Sequence, residues 1–224
     1  IKFALGQTVA GDTVYIRGGE YRIPTAVGGE GTISFPIAGT VDKQITLAGY
    51  PGETVRIVGS VKLTNWTSIN PNVWSHPAPA IDIKGMFDNS VRISHPTYFI
   101  NGVRSHPPLS QLKAGEWTIE GGLVYYWPVT PVNPNLRTIE ASQNRGITVN
   151  RQFVVIQNLT VEYTQSNYEG GGGIHITADY VHIRNVKVGR NSNGNANAYA
   201  LYFSDCSNSV VSDSELYDSI YWGG

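Results

Sequence analysis

GGGGIHITADYVHIRNVKVGR (170–190) is the stretch on which the fold turns. It holds three short alternating runs, GIHIT, YVHIRN and VKVGR, with turn-forming residues between them. Alternation is the period of a strand, so Ile174 and Ile176 face one way and His175 and Thr177 the other. The unit that opens at Gly173 has a counterpart before it, GITVNRQFVVIQNLTVEY from Gly146. It has another after it, ALYFSDCSNSVVSDSELY from Ala200, and the three starts are evenly spaced. Ile147 and Val149, then Leu201 and Phe203, match the first inward pair. Val154 and Ile156, then Val181 and Ile183, match in the second run. Asn158 and Asn185 hold one turn position, where stacked amides can hydrogen-bond along the column and satisfy backbone groups. The third unit is poorer, and places Ser212 where Ile156 and Ile183 sit.

A unit this short cannot bury its apolar face alone, whereas stacked units wind one continuous core. The sequence therefore predicts an all-β chain, a right-handed parallel β-helix with three strands per coil. A β-sandwich needs antiparallel hairpins, which would not keep one register over successive 27-residue steps. Residues 1–60 read as N-terminal coils, with TVYIRGGEYR (13–22), QITLAGY (44–50) and TVRIVG (54–59) as strands. Residues 61–140 break the repeat and read as a β-rich insertion packed on the side of the helix. In it GEWTIEGGLVYYWPV forms a hairpin with EGG as its turn. Residues 141–224 are the regular coils of the same continuous domain. Both ends look cut, as in a mature or partial chain.

Composition agrees with this class. Hydrophobic residues are 41% and charged residues 15%, which gives a sizeable core under a polar, weakly charged surface. The formal net charge of −1 offers nothing to nucleic acid or to an acidic lipid surface. No run of about 18 apolar residues is present, so no membrane span is expected. The single cysteine, Cys206, cannot form an intrachain disulfide and is read as a small core residue.

GDTVYIRGGEYR followed by QITLAGYPGETVRIVGS resembles the first coils of bacterial right-handed β-helix proteins that act on polysaccharides. These are the pectate-lyase-like proteins, alginate and chondroitin lyases, and β-helical glycoside hydrolases. NVWSH, YFINGVR and GEWTIEGGLVYYWP resemble an inserted segment of some of them, and RQFVVIQNLTVEY their re-entry strand. The resemblance covers essentially the whole chain. It implies the fold and a polysaccharide or oligosaccharide partner, on a protein that is secreted or at the cell surface. It does not imply one reaction, because such folds share coils and differ in their sites.

Equivalent positions in stacked strands form rows about 4.8 Å apart. One outward row runs Thr148, His175, Tyr202, with Tyr221 as its continuation. A second runs Asn150, Thr177, Ser204. Aromatic faces suit the apolar C–H surface of sugars, and hydroxyls and amides suit their hydroxyl groups. His175 is the first candidate for acid or base, since its charge changes near neutrality. Tyr202 is a stacking or proton-donor candidate. Asp205, just past the first strand, is the carboxylate candidate, with Asp218 as its possible companion. Tyr221 and Thr177 are substrate-binding candidates. Lys187 and Arg190 are candidates to neutralise an acidic sugar, although they belong to other faces of the coil. His76, His95 and His106 read as structural. No spacing predicts a metal site, since His175 and His182 lie on different faces; calcium is the one candidate cofactor, by resemblance to the lyases.

Two functions follow. One is an extracellular polysaccharide-degrading enzyme, a lyase or a glycoside hydrolase, holding its glycan along the outward face. A lyase asks for a base beside a charge-neutralising group, and a hydrolase for two carboxylates roughly 5–10 Å apart. The alternative is a non-catalytic carbohydrate-binding protein, adhesin or fibre component. Its coils would self-associate end to end through bare parallel edges.

Overall fold

The computed structural model describes residues 1–26, 29–96, 98–100, 103–166, 172–193 and 198–221; side chains at 98–100, 103–104, 193, 220 and 221 are outside that description. The described chain is mostly β, and its regular part is a parallel stack. In a first sheet, strands Ile33–Ser34, Ile147–Val149, Gly172–Ile176 and Tyr199–Phe203 lie side by side. Ile147 pairs with Ile174 and Ile174 with Leu201, so both pairings keep the spacing of the sequence repeat. In a longer sheet, Val154–Glu162 pairs with Val181–Asn193 at the same spacing, Val154 opposite Val181 and Ile156 opposite Ile183. Ile45–Gly49 and Val55–Val58 lie against the other edge of Val154–Glu162, and Thr13–Ile16 and Gly19–Arg22 lie beyond them.

The corners explain how one chain makes both sheets. Three columns of residues take the left-handed conformation: Phe153, Tyr180, Asn208; Asn158, Asn185, Asp213; and Tyr163, Arg190, Asp218. Each column turns the chain at the same place in successive turns. Asn is tolerant of this conformation, and bulky residues are not. Here stacking compensates. The Phe153 and Tyr180 rings lie 4.8 Å apart and 6° from parallel. The Asn185 amide nitrogen donates to the Asn158 oxygen at 2.9 Å, as the sequence predicts.

Inside the stack, Ile45, Leu47, Ile147, Val154, Ile156, Ile174, Ile176, Val181 and Ile183 are buried in one cluster. Leu5, from the single helical turn Lys2–Leu5, joins them. Cys206 is half-buried against this cluster. Gly173 is required by close approach: a Cβ there would lie 2.2 Å from the Ala200 carbonyl oxygen of the next turn.

The third turn differs from the sequence expectation. Val211, not Ser212, pairs opposite Ile183, and Ser212 pairs opposite Arg184. The first strand keeps the spacing of the repeat, with Leu201 opposite Ile174, but the turn before Val210 holds one residue more, which moves the second strand along by one.

Residues 60–142 carry antiparallel sheets. Ser60–Lys62, Met86–Asp88, Val91–Ile93 and Ile139–Ser142 form one. Thr67–Ser68, Trp74–Pro77, Glu116–Glu120 and Leu123–Trp127 form another. The hairpin pairs Glu120 with Leu123 and so turns on Gly121–Gly122 alone, not on all of EGG. Trp117, Met86, Ile83 and Val124 fill a second core. The segment leaves and rejoins the stack at one point: the backbone N–H groups of Gln143 and Asn144 donate to the Gly59 carbonyl at 3.0 and 2.8 Å.

Candidate functional site

The first sheet presents Thr148, His175 and Tyr202 in one row, because these three are Cα partners in consecutive parallel strands. All three are half-buried. His175 Nε2 lies 3.0 Å from the Ser204 hydroxyl. The His175 and Tyr202 rings are 5.1 Å apart, tilted by 43°. Tyr199 stacks on Tyr202 at 5.0 Å and 19°. Thr177 and Ser204 continue the face, held by Thr177 N–H to Val149 O and Ser204 N–H to Ile176 O. The result is an aromatic pair beside an imidazole, among hydroxyl groups. Burial pushes the His175 pKa down, and the charge of Arg145 adds to the effect. The imidazole is therefore neutral at neutral pH and able to accept a proton.

Arg145 is absent from the sequence-derived candidates. It starts a polar shelf at the edge of the row. Its Nε donates to Glu30 Oε2 at 3.2 Å. The Gln165 amide donates to Glu30 Oε1 at 3.3 Å and to the Asp82 carbonyl at 2.8 Å, and it accepts from the Lys84 N–H at 2.8 Å. The Asp82 carboxylate meets His106 Nε2 at 2.9 Å and Lys84 Nζ at 2.5 Å. Burial alone would raise the Asp82 pKa, but the His106 hydrogen bond and the Lys84 charge outweigh it and hold it at about 2. His106 Nδ1 lies 2.7 Å from His95 Nε2, and His95 packs on Trp117 at 4.4 Å between ring centres. Burial, with His106 alongside, pushes His95 down to about 3. Thus Glu30 from the N-terminal turns and Asp82, Lys84, His95 and His106 from the antiparallel segment converge on the edge of the stack.

The other sequence candidates lie apart from this row. Asp205 is exposed at a left-handed corner just past Phe203. Asp218 belongs to the long sheet and accepts from Arg92 Nε at 3.1 Å, so it serves a different corner from Asp205. Tyr221 does not continue the Thr148–His175–Tyr202 row. Its backbone pairs with Asn193 in the long sheet, and one further step of the repeat from Tyr202 runs past Gly224. Lys187 pairs with Glu215 at 2.7 Å on the long sheet, and that bond raises its pKa. Arg190 is bound to Glu162, donates to the Ser90 carbonyl at 3.2 Å, and lies 5.3 Å from the Tyr163 and Tyr217 rings. A guanidinium so occupied braces a corner. Among the described residues, no group of three or more His, Cys, Asp or Glu is arranged to hold a metal.

No protein-family model matches this sequence, and neither does any curated protein. Solved structures do share its fold. XylC, solved in complex with xylose, aligns over 86% of this chain with a TM-score of 0.53 and 14% identity. A glycoside hydrolase aligns over 82% with a TM-score of 0.51 and 9% identity. The tailspike protein gp49 of Pseudomonas phage LKA1 covers 91% at 14% identity, but its TM-score of 0.25 is too low to bear on the fold. The chain spans 38% of XylC and 58% of the glycoside hydrolase. At these identities the likeness is one of fold.

Proposed function

We propose that the parallel stack is a right-handed β-helix with three strands per turn, and that it holds a glycan along the outward face of its first sheet as part of a polysaccharide-degrading enzyme. The observation that carries this reading is the Tyr199–Tyr202 pair stacked beside His175, with Thr148, Thr177 and Ser204 around it. Flat rings held in place by neighbours cover sugar C–H surface at little cost in side-chain freedom, and the hydroxyls orient the sugar. The fold neighbours add support: one is named a glycoside hydrolase and another was solved with xylose. The fold neighbours make hydrolysis the first reaction to test and xylan the first polymer. A polymeric substrate goes with a protein that works outside the cell or at its surface.

A second reading, β-elimination, is favoured by one observation. Burial and the nearby Arg145 charge both lower the His175 pKa, which places a base beside an arginine that is itself paired with Glu30. One assay separates the two. Neutral and uronate polysaccharides are incubated with the protein, with and without calcium. Reducing-end release alone supports hydrolysis, and the ultraviolet absorbance of an unsaturated uronate supports elimination. Binding without either product supports a carbohydrate-binding protein, and no binding at all contradicts the reading.

A further inference from the structure

On the opposite corner of the stack from the Tyr202 face, loop 50–54 overhangs the Asn158–Asn185 column and leaves a groove of about 490 Å³. The volume is within the range of small-ligand sites, roughly 300–1,000 Å³. We propose that this groove is a second carbohydrate subsite, one that takes a short neutral segment of the polysaccharide. The inference rests on the reading that the chain handles a glycan, and adds a separate place where it does so.

The wall is built to stay put. Tyr50, Pro51, Gly52 and Glu53 form a tight turn, closed by Glu53 N–H to Tyr50 O at 3.0 Å. Proline sits at its second position, and Gly52 at its third has φ +78°, the pairing a type II turn requires. Tyr50 remains 44% exposed. Its ring is nonetheless packed against two neighbours. The Arg17 guanidinium covers it at 4.8 Å, and Tyr15 meets it edge-on at 5.9 Å. Arg17 is held in turn by Glu53, with Nε 2.8 and 3.0 Å from the two carboxylate oxygens. A ring already packed against neighbours loses less freedom when a ligand stacks on it.

The floor supplies polar partners. Asn158, Thr160 and Asn185 line it, with Lys187 at its end. The ladder bond uses one donor of Asn185 and one acceptor of Asn158, so the Asn158 amide N–H groups and the Asn185 carbonyl remain for a ligand. The charges at the groove are already matched. Glu53 is paired with Arg17, and Lys187 with Glu215. No net charge is left over to favour a uronate. A neutral pyranose fits this set: one apolar face for Tyr50, and hydroxyls for two amides and a threonine.

Assigned amide spectra of the protein test the proposal, with xylohexaose and cellohexaose as neutral probes and trigalacturonate as the acidic one. A neutral probe should shift Gly52, Thr54, Asn158 and Asn185, and trigalacturonate should not. Tyr50→Ala should weaken that set about tenfold, and leave any shifts at Thr177, Tyr202 and Ser204 unchanged. Shifts at Thr177 and Tyr202 with none at the groove would overturn the second subsite and leave the proposed function standing. Shifts at the groove alone would uphold the subsite and remove the first-sheet face as the binding surface. Silence at the groove with both neutral probes overturns the subsite whatever the face does.

Discussion

Glu162 is the position at which a small chemical change should cost most. Its side chain is 4% exposed. Arg56 donates to Oε2 at 3.0 and 2.8 Å, and Arg190 and the Tyr217 hydroxyl both donate to Oε1. Glu162→Gln keeps the shape but replaces one oxygen with a donor. In one orientation that donor meets only Arg56. In the other it meets Arg190, and Tyr217 must turn its hydroxyl to accept. Removing one partner of a buried ion pair costs about 3–5 kcal/mol, because a charge is left unmatched. Here Arg56 and Arg190 are partly exposed, and Arg56 keeps Glu20 at 2.9 Å. The cost should therefore fall at the low end, about 3 kcal/mol. For a domain of this size that lowers Tm by roughly 6–12 °C. Thermal and urea unfolding of Glu162→Gln measure it, with Glu215→Gln as the control, 57% exposed and paired with Lys187. Surface pairs contribute little, so the control should stay near wild type. A Glu162→Gln protein as stable as Glu215→Gln would refute the reasoning that this corner is held by a buried, fully occupied carboxylate.

Asn185→Ala should lose both the ladder bond and the residue type suited to the left-handed corner, about 2 kcal/mol in all; Asn185→Gly should lose less by about 1 kcal/mol, and equal urea midpoints for the two would contradict the corner assignment. Ile156→Ala removes a fully buried side chain and should cost about 2–5 kcal/mol in urea unfolding; an unchanged midpoint would contradict the stacked core. His95 titrates at about 3 when folded against an ordinary 6.5, so the folded state binds fewer protons across that window. Stability should therefore fall as pH falls from 6.5 to about 3, with a shallower slope in His95→Gln, and a slope of the opposite sign would refute the burial of a neutral imidazole. An NMR titration of His175 should place its midpoint below that of an ordinary histidine, and Arg145→Gln should bring it part of the way back.

The stack was legible in the sequence wherever the signal is local and repeated. Ile147, Ile174 and Leu201 announce the step by alternation alone, and Asn158 and Asn185 mark a corner that their side chains tolerate. The other corners are filled by Phe153, Tyr180, Tyr163 and Arg190, which local preference places elsewhere. Only their stacked neighbours in the next turn make those positions acceptable. The extra residue before Val210 could not be seen, because SVVSD alternates acceptably in either register. At the site, His175, Tyr202 and Thr177 were readable as one outward face. Arg145 carried a usable signal, since it precedes Gly172 and Tyr199 by the same steps of the repeat. Glu30, Asp82, Lys84 and His106 carried none. They reach the shelf through loops and an antiparallel segment whose path no repeat predicts.

The most direct test of the account is affinity electrophoresis of the folded protein through gels containing xylan, with Tyr202→Ala run alongside. The aromatic pair on the first sheet predicts that xylan retards the wild-type protein and that Tyr202→Ala is retarded clearly less. Equal retardation of both proteins, or of neither, would contradict a glycan held along that face.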